Sequence, residues 1–189
     1  MLNYLKGILC VAVCFILFSC KNQPKEPKDY IDISSYLKGQ LNYIDTIPFA
    51  FLKVVQNDSV YTDSQFISKE QVKQIVQPFL IKEMEKKNFE TNFKETSFAD
   101  ATIHTITITY ESIAESCPVT RVDVYVNPEK EQISQLYIVR KKETGDSTLT
   151  QQLLWKHNKS LTLITSVMKK DSEKTVTEKV IWDEREDEY

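Results

Sequence analysis

Residues 119–127 read Val-Thr-Arg-Val-Asp-Val-Tyr-Val-Asn, and this stretch decides the fold. Val122, Val124 and Val126 occupy every second position, and the side chains between them are polar or amphipathic. Successive side chains of a strand point to opposite faces of its sheet. The alternation therefore predicts a β-strand with one buried face and one face in water.

Similar segments surround this strand in the second half of the chain. Short turn sequences separate them, including Asn127-Pro128 and Thr144-Gly145-Asp146. Strands joined in succession by short turns form an antiparallel meander. The sequence predicts six such strands, at residues 102–113, 119–127, 132–142, 147–157, 160–169 and 174–183.

The region before the meander begins with a helix and a hairpin. Asp32 or Ser34 is a suitable N-cap for a helix whose apolar residues, Leu37, Leu41 and Ile44, recur at helical spacing. This helix should end before Pro48, because the residue preceding a proline avoids the helical conformation. Residues 49–55 and 60–62 then predict two strands of a hairpin across a polar turn.

A second helix is predicted to start at Ser68. Gln71 stands three residues later, which is the spacing of a capping box. Apolar residues continue at helical spacing to about Lys87, so we expect one helix that Pro78 kinks. The following segment, with Phe89, Phe93 and Phe98, reads as a polar connection.

These elements predict an α+β fold. We expect a curved antiparallel sheet of about six to eight strands with two helices on one face. In the order of its elements this arrangement resembles the half-barrel of periplasmic lipoprotein carriers. That resemblance implies no activity, because folds of this kind host many functions.

The N-terminus predicts a signal peptide at residues 1–19. Lys6 is its only charged side chain, and the apolar run that follows is shorter than the roughly 20 residues a membrane-spanning helix needs. It ends in Leu17-Phe18-Ser19-Cys20, which resembles the bacterial lipobox. The resemblance implies that Cys20 becomes the lipid-bearing N-terminus. An ordinary signal peptide or an uncleaved anchor is the alternative.

Residues 20–31 are polar and contain two prolines, which is typical of a disordered tether. Residues 32–189 have the length of a single α+β domain. Lys21 follows the cysteine, and no acidic run is present there. By resemblance to sorted bacterial lipoproteins, this implies the outer membrane and its periplasmic face, with attachment to the membrane through lipidated Cys20.

The mature domain resembles a set of small uncharacterised lipoproteins of Bacteroidota. The resemblance rests on the capped helix with Phe79-Leu80 and on three later segments, at residues 93–98, 121–126 and 180–183. It implies a shared fold and an envelope location. It brings no activity, ligand or catalytic residue with it.

Charge and glycine content argue against nucleic-acid binding and against a glycine-rich phosphate-binding loop. The formal net charge is −3, whereas a nucleic-acid-binding domain is expected to carry a basic patch, so we expect no nucleic acid partner. The chain has only 3 glycines, and no two of them lie close together. A glycine-rich phosphate-binding loop is therefore not expected.

Residues that commonly carry chemistry are sparse and scattered. His104 is expected on the buried face of a strand and His157 at a turn facing solvent, and neither belongs to a recognisable metal-binding pattern. Cys117 is the one cysteine beyond Cys20 and is expected to be a small packing residue. Carboxylates such as Glu111, Glu115 and Asp123 occur without a catalytic motif. We therefore expect no catalytic residue, no metal, no cofactor and no enzymatic activity.

Aromatic residues leave two interpretations open. They are first of all candidates for the core, but they are also numerous enough to line a ligand pocket. The first hypothesis is a non-enzymatic module that binds an envelope protein. The second is a carrier or sensor that holds a hydrophobic ligand inside the curved sheet. The aromatic set comprises Tyr43, Phe49, Phe51, Tyr61, Phe66, Phe79, Phe98, Tyr110, Tyr125, Tyr137, Trp155 and Trp182.

Overall fold

A computed structural model describes residues 30–57 and 60–184. The predicted signal peptide, Cys20 and the tether up to residue 29 lie outside the described residues. Tyr30 and Ile31, at the end of the predicted tether, pack against the hydrophobic core. The backbone N–H of Ile31 also donates to the Tyr110 hydroxyl at 3.4 Å.

The described chain forms an α+β fold around one antiparallel sheet of nine strands that does not close. The strand order is β2-β1-β9-β8-β7-β6-β5-β4-β3, so β2 and β3 form the two edges. The strands are β1 (Phe51–Asn57), β2 (Val60–Ile67), β3 (Phe93–Asp100), β4 (Thr105–Ser112), β5 (Val119–Asn127), β6 (Gln132–Thr144), β7 (Ser147–Lys156), β8 (Ser160–Lys169) and β9 (Ser172–Ile181).

The strand count corrects the expectation of six to eight, and the additional strand is β3. Phe93 and Phe98 lie five residues apart, so they cannot share one face of a strand, and the sequence shows no alternation there. As an edge strand, β3 leaves most of its side chains exposed. An apolar pattern of period two is therefore not required of it.

The first helix, α1 (Ile33–Thr46), confirms the prediction from its apolar spacing. Asp32 is the N-cap, and its carboxylate accepts a hydrogen bond from the Ser35 backbone N–H at 2.9 Å. Ile47 is already extended, as expected for a residue before Pro48.

The second predicted helix starts at Ser68 as expected, but its length was wrong. Helix α2 (Lys69–Val76) ends two residues before Pro78, and a 3₁₀ turn (Gln77–Phe79) follows. Pro78 has no N–H to donate to the carbonyl of Gln74, and Leu80 then leaves the helical region with φ −88° and ψ 72°. After a second 3₁₀ turn (Lys82–Met84), helix α3 (Lys86–Asn92) leads into β3. The described residues thus form three α-helices rather than two.

The core lies between the helices and one face of the sheet, here called the inner face. The strand registers align Val124, Leu136, Trp155, Leu161 and Val180 in one row across β5 to β9. All five are completely buried. The row shows that the alternation within each strand adds up to one continuous apolar surface.

Helix α1 crosses this inner face. Gln40 on α1 accepts a hydrogen bond from the Trp155 indole N–H of β7 at 2.9 Å. Near the other end of the sheet, Phe89 of α3 stacks on Phe93 at 4.5 Å and meets the edge of the Tyr110 ring at 4.8 Å. Several candidates for a pocket lining therefore fill the core instead, namely Phe51, Phe79, Tyr110, Trp155 and Trp182. None of the described helices is long and apolar enough to cross a membrane.

Candidate functional site

The two histidines lie elsewhere than the sequence suggested. His104 sits in the turn before β4, in the left-handed region at φ 46°, and its side chain is 73% exposed. The expectation of a buried strand residue was wrong because β4 begins one residue later. His104 lies beside the exposed Glu129, with Nδ1 3.9 Å from Oε1.

His157 was expected to face solvent, but it is half-buried beneath α1. Its ring stacks on Tyr36 with centroids 6.0 Å apart. Nδ1 lies 3.1 Å from the Tyr36 hydroxyl, and Nε2 lies 2.7 Å from the Gln132 amide nitrogen. These contacts place His157 in a bridge between α1 and the sheet. Burial also raises the pKa of Tyr36 well above its usual range.

Cys117 is buried at the entrance to β5, which confirms that it is a small packing residue. Burial raises the pKa of its thiol. A raised pKa leaves less of the reactive thiolate at neutral pH. Among the described residues, no group of three or more His, Cys, Asp or Glu side chains is placed to hold a metal ion.

A polar group around Asp123 lies on the other side of the sheet, here called the outer face. The strand registers place Arg121 and Asp123 of β5 beside Glu111 and Thr109 of β4 on this face. Asp123 is only 3% exposed although it is on the outer face. A buried carboxylate is costly unless it is paired and hydrogen-bonded, so its partners define the site.

Asp123 has these partners. Its Oδ1 accepts a hydrogen bond from the Thr109 hydroxyl at 2.7 Å. Arg121 donates from Nε to both carboxylate oxygens, at 3.0 Å and 2.9 Å. The hydrogen bond to Asp123 is the main reason that the pKa of the Arg121 guanidinium is raised.

Asp123 holds the Arg121 side chain at Nε, and the rest of the guanidinium extends along the outer face. Its side chain is 48% exposed. Within the described chain, all side-chain hydrogen bonds of Arg121 run through Nε to Asp123. A guanidinium carries five N–H donors. The Nη groups of a positioned arginine are therefore available on the outer face.

Two tyrosines lie in the same groove as this arginine. Tyr125 and Tyr137 line a shallow groove of about 460 Å³ together with Arg121 and Asp123. The Tyr137 hydroxyl donates to Gln152 at 2.9 Å, which fixes its ring, and partial burial raises its pKa. We call these residues the outer patch; they are Arg121, Asp123, Tyr125, Gln135, Tyr137, Val139 and Leu154.

A second cleft, of about 290 Å³, lies on the inner face beneath α2. An ion pair crosses it, with Lys53 Nζ 2.8 Å from Glu178 Oε1. Gln71 and Gln74 of α2 and Gln151 of β7 add further polar groups to its walls. The charges and amides make this cleft polar.

Sequence reasoning noted Asp123 and its position in the strand but missed its role. The available signal was that Arg121, Asp123 and Tyr125 share one face of β5. The burial of Asp123 depends on Thr109 and Tyr137, which come from neighbouring strands. The strand registers that bring these side chains together are not visible in the sequence.

Comparisons with family models, with curated proteins and with solved structures find no match to this chain. The outer patch is therefore interpreted from its geometry alone.

Proposed function

We propose that this chain is a lipid-anchored module of the cell envelope that binds a protein partner through the outer patch and does not act as an enzyme. Cys20 would carry the lipid and hold the domain at the outer membrane, facing the periplasm. The lipobox resemblance of residues 17–20 supports the anchor.

The observation that carries the binding proposal is the fixed, half-exposed arginine that lines one groove with two tyrosines. Arginine and tyrosine are enriched at the energetic centres of protein interfaces. Asp123 orients Arg121, so little conformational entropy is lost when a partner binds. A carbonyl or carboxylate of the partner would accept from the Nη groups, while Tyr125 and Tyr137 supply apolar contact area.

The alternative of a hydrophobic-ligand carrier has less support. Side chains such as Trp155, Leu153 and Val122 fill the inner face and are completely buried. The cleft beneath α2 contains the Lys53–Glu178 ion pair. An apolar ligand there would remove this ion pair from water without offering either charge a further hydrogen bond, which is unfavourable.

Labelling with radioactive palmitate tests the anchor. The full-length chain expressed in its own cell should incorporate the label and sediment with membranes, and Cys20→Ser should do neither. A Cys20→Ser variant that is labelled as strongly as the parent chain would contradict lipid attachment at Cys20.

Photo-crosslinking in living cells tests the outer patch. A photoreactive amino acid replaces Tyr125 in the full-length chain, and the crosslinked species are identified by mass spectrometry. We expect one defined protein partner. Removal of Arg121 alone would leave Asp123 buried without its ion pair. The test variant therefore combines Arg121→Ala with Asp123→Asn, and it should lower the crosslink yield by at least about tenfold.

Lys179→Ala is the matched control, because Lys179 is an exposed basic residue on the outer face of β9. It should leave the yield unchanged. Equal yields from the double variant and the parent chain would overturn binding at the outer patch. Co-purification of a stoichiometric lipid, with no crosslinked protein, would favour the carrier instead.

A further inference from the structure

Strand β3 offers an uncapped edge of the sheet. All eight of its residues pair with β4 in an unbroken register, from Phe93 opposite Ser112 to Asp100 opposite Thr105. No described strand pairs with its other side. The opposite edge is less regular, because pairing of β1 with β2 shifts between Val55 and Gln56. A regular exposed edge is a template for pairing with another strand.

The backbone groups that face outward can be identified from one hydrogen bond. The Ile113 N–H donates to the Asn92 carbonyl at 2.9 Å, and these two residues continue the β3–β4 register. Hydrogen-bonded pairs alternate along an antiparallel ladder, so even-numbered residues of β3 bond to β4. Odd-numbered residues, including Ser97 and Ala99, therefore direct their N–H and C=O groups outward.

When two copies of β3 lie side by side and antiparallel, the side chains of one copy are complementary in charge to those of the other. With Ser97 opposite Ser97 of a second copy, Lys94 lies opposite Asp100 of that copy, and the reverse pair forms as well. These are non-hydrogen-bonded positions, where side chains on facing strands come closest. This register thus forms two ion pairs and uses the outward backbone groups of Ser97 and Ala99.

The same register also covers exposed apolar surface. Phe98 is 67% exposed on the outer face of β3. It would lie opposite Thr96 of the second copy and diagonal to the second Phe98, at a distance that aromatic rings can span. Glu95 would face Ala99, so no like charges meet.

The neighbouring registers fit less well. If the register between the two copies shifted by two positions toward the β3–β4 turn, Phe98 would lie opposite Phe98, but Lys94 would no longer face Asp100. A shift by four in the other direction would place Glu95 opposite Glu95, and like charges directly opposite are destabilising. The centre at Ser97 therefore has the best charge pattern.

We propose that two copies of this chain associate through β3, antiparallel about Ser97, into one continuous sheet with two-fold symmetry. The proposal is independent of the outer patch, since the residues of that patch belong to β5, β6 and β7.

Charge exchange tests the register. Sedimentation equilibrium of the full-length chain in density-matched detergent should show a dimer. Lys94→Asp and Asp100→Lys should each weaken self-association by about tenfold, because both ion pairs become like-charge pairs. The combined variant restores opposite charges and should return the dissociation constant to near that of the parent chain. A parent chain that is monomeric throughout, or a double variant no better than the single ones, would overturn the proposal.

Disulfide trapping provides a second readout. Directly opposite residues of a hydrogen-bonded pair have Cα atoms about 5.5 Å apart, which a disulfide can bridge. Ser97→Cys should therefore give a covalent dimer on mild oxidation, above the background of the parent chain. Gln65→Cys on β2 is the matched control at the other edge, and it should give no such increase. Equal trapping by both variants would contradict pairing through β3.

Discussion

At the scale of single residues, Gln40 makes the most consequential polar contact in the core. It is only 6% exposed on α1. Its carbonyl oxygen accepts from the Trp155 indole N–H at 2.9 Å and from the Asn158 backbone N–H at 3.1 Å. One side chain thus satisfies two donors from β7 and the turn after it, and it sets the position of the helix on the sheet.

We expect Gln40→Leu to lower the free energy of unfolding by about 3 kcal/mol, because it leaves both donors without an acceptor. Urea denaturation followed by circular dichroism measures the change. Asn42→Leu, at an exposed position of the same helix, should change stability by less than about 0.5 kcal/mol. A loss of similar size in both variants would show that the Gln40 hydrogen bonds are not responsible.

Residue roles were the least predictable part of this protein. The sequence indicated that Cys117 packs as a small residue, because a cysteine between apolar strands has few other uses. It gave no indication that Gln40 reaches Trp155 or that Tyr36 reaches His157. These pairs are separated by more than half of the chain, so only the packing of α1 on the sheet brings them together. Arg121 and Asp123 were a partial exception, because residues two positions apart in one strand lie on the same face of the sheet.

At the scale of elements, the capping box at Ser68 shows how a local signal specifies a helix start. The Ser68 hydroxyl accepts from the Gln71 N–H at 3.3 Å, and the Gln71 side chain accepts from the Ser68 N–H at 2.9 Å. Two backbone N–H groups at the N-terminus of α2, those of Ser68 and Gln71, thus find acceptors within the same four residues. The helix is short, so its position depends strongly on this end.

Ser68→Ala should destabilise the protein by about 1 kcal/mol, the usual cost of losing an N-cap hydroxyl. Thermal unfolding monitored by circular dichroism reports this change. Ser116→Ala, in an exposed turn, serves as the control and should leave the melting temperature nearly unchanged. An effect of Ser68→Ala no larger than that of the control would mean that the cap contributes little here.

Elements with a strong periodic pattern were predictable with their boundaries. Strands β5 and β8 have the bounds expected from alternation, and α1 has the expected N-cap. Strand β3 was missed because an edge strand needs no apolar alternation. The end of α2 was missed because the apolar spacing continues past Pro78, although the backbone there does not stay helical.

At the scale of the whole molecule, tyrosines that are fully or partly buried make stability depend on pH in alkaline solution. Burial raises the pKa of Tyr36, Tyr110 and Tyr137 above the usual value. The unfolded chain releases these protons near pH 10, whereas the folded chain retains them. The stabilising contribution is complete below pH 10 and is lost as the pH rises above it.

We therefore expect the free energy of unfolding to fall above pH 10, by about 1.4 kcal/mol per pH unit for each fully shifted tyrosine. Urea titrations between pH 9 and about pH 11.5 measure the slope. Tyr110→Phe removes one titrating group and should make the slope shallower by that amount, whatever its effect at neutral pH. An identical slope in both proteins would show that Tyr110 ionises equally in the folded and unfolded states.

The position of β1 beside β9 has a consequence for the order in which the strands of the sheet can form. Leu52 pairs with Ile181, a contact between opposite ends of the described chain. Strands β3 to β9 can pair one after another through local turns. The β1–β2 hairpin can join the sheet only after β9 has formed. Until β9 arrives, the early hairpin exposes an unpaired strand edge. A chaperone that shields extended segments would therefore matter most for the N-terminal hairpin, and slow docking of that hairpin should be the last step of folding.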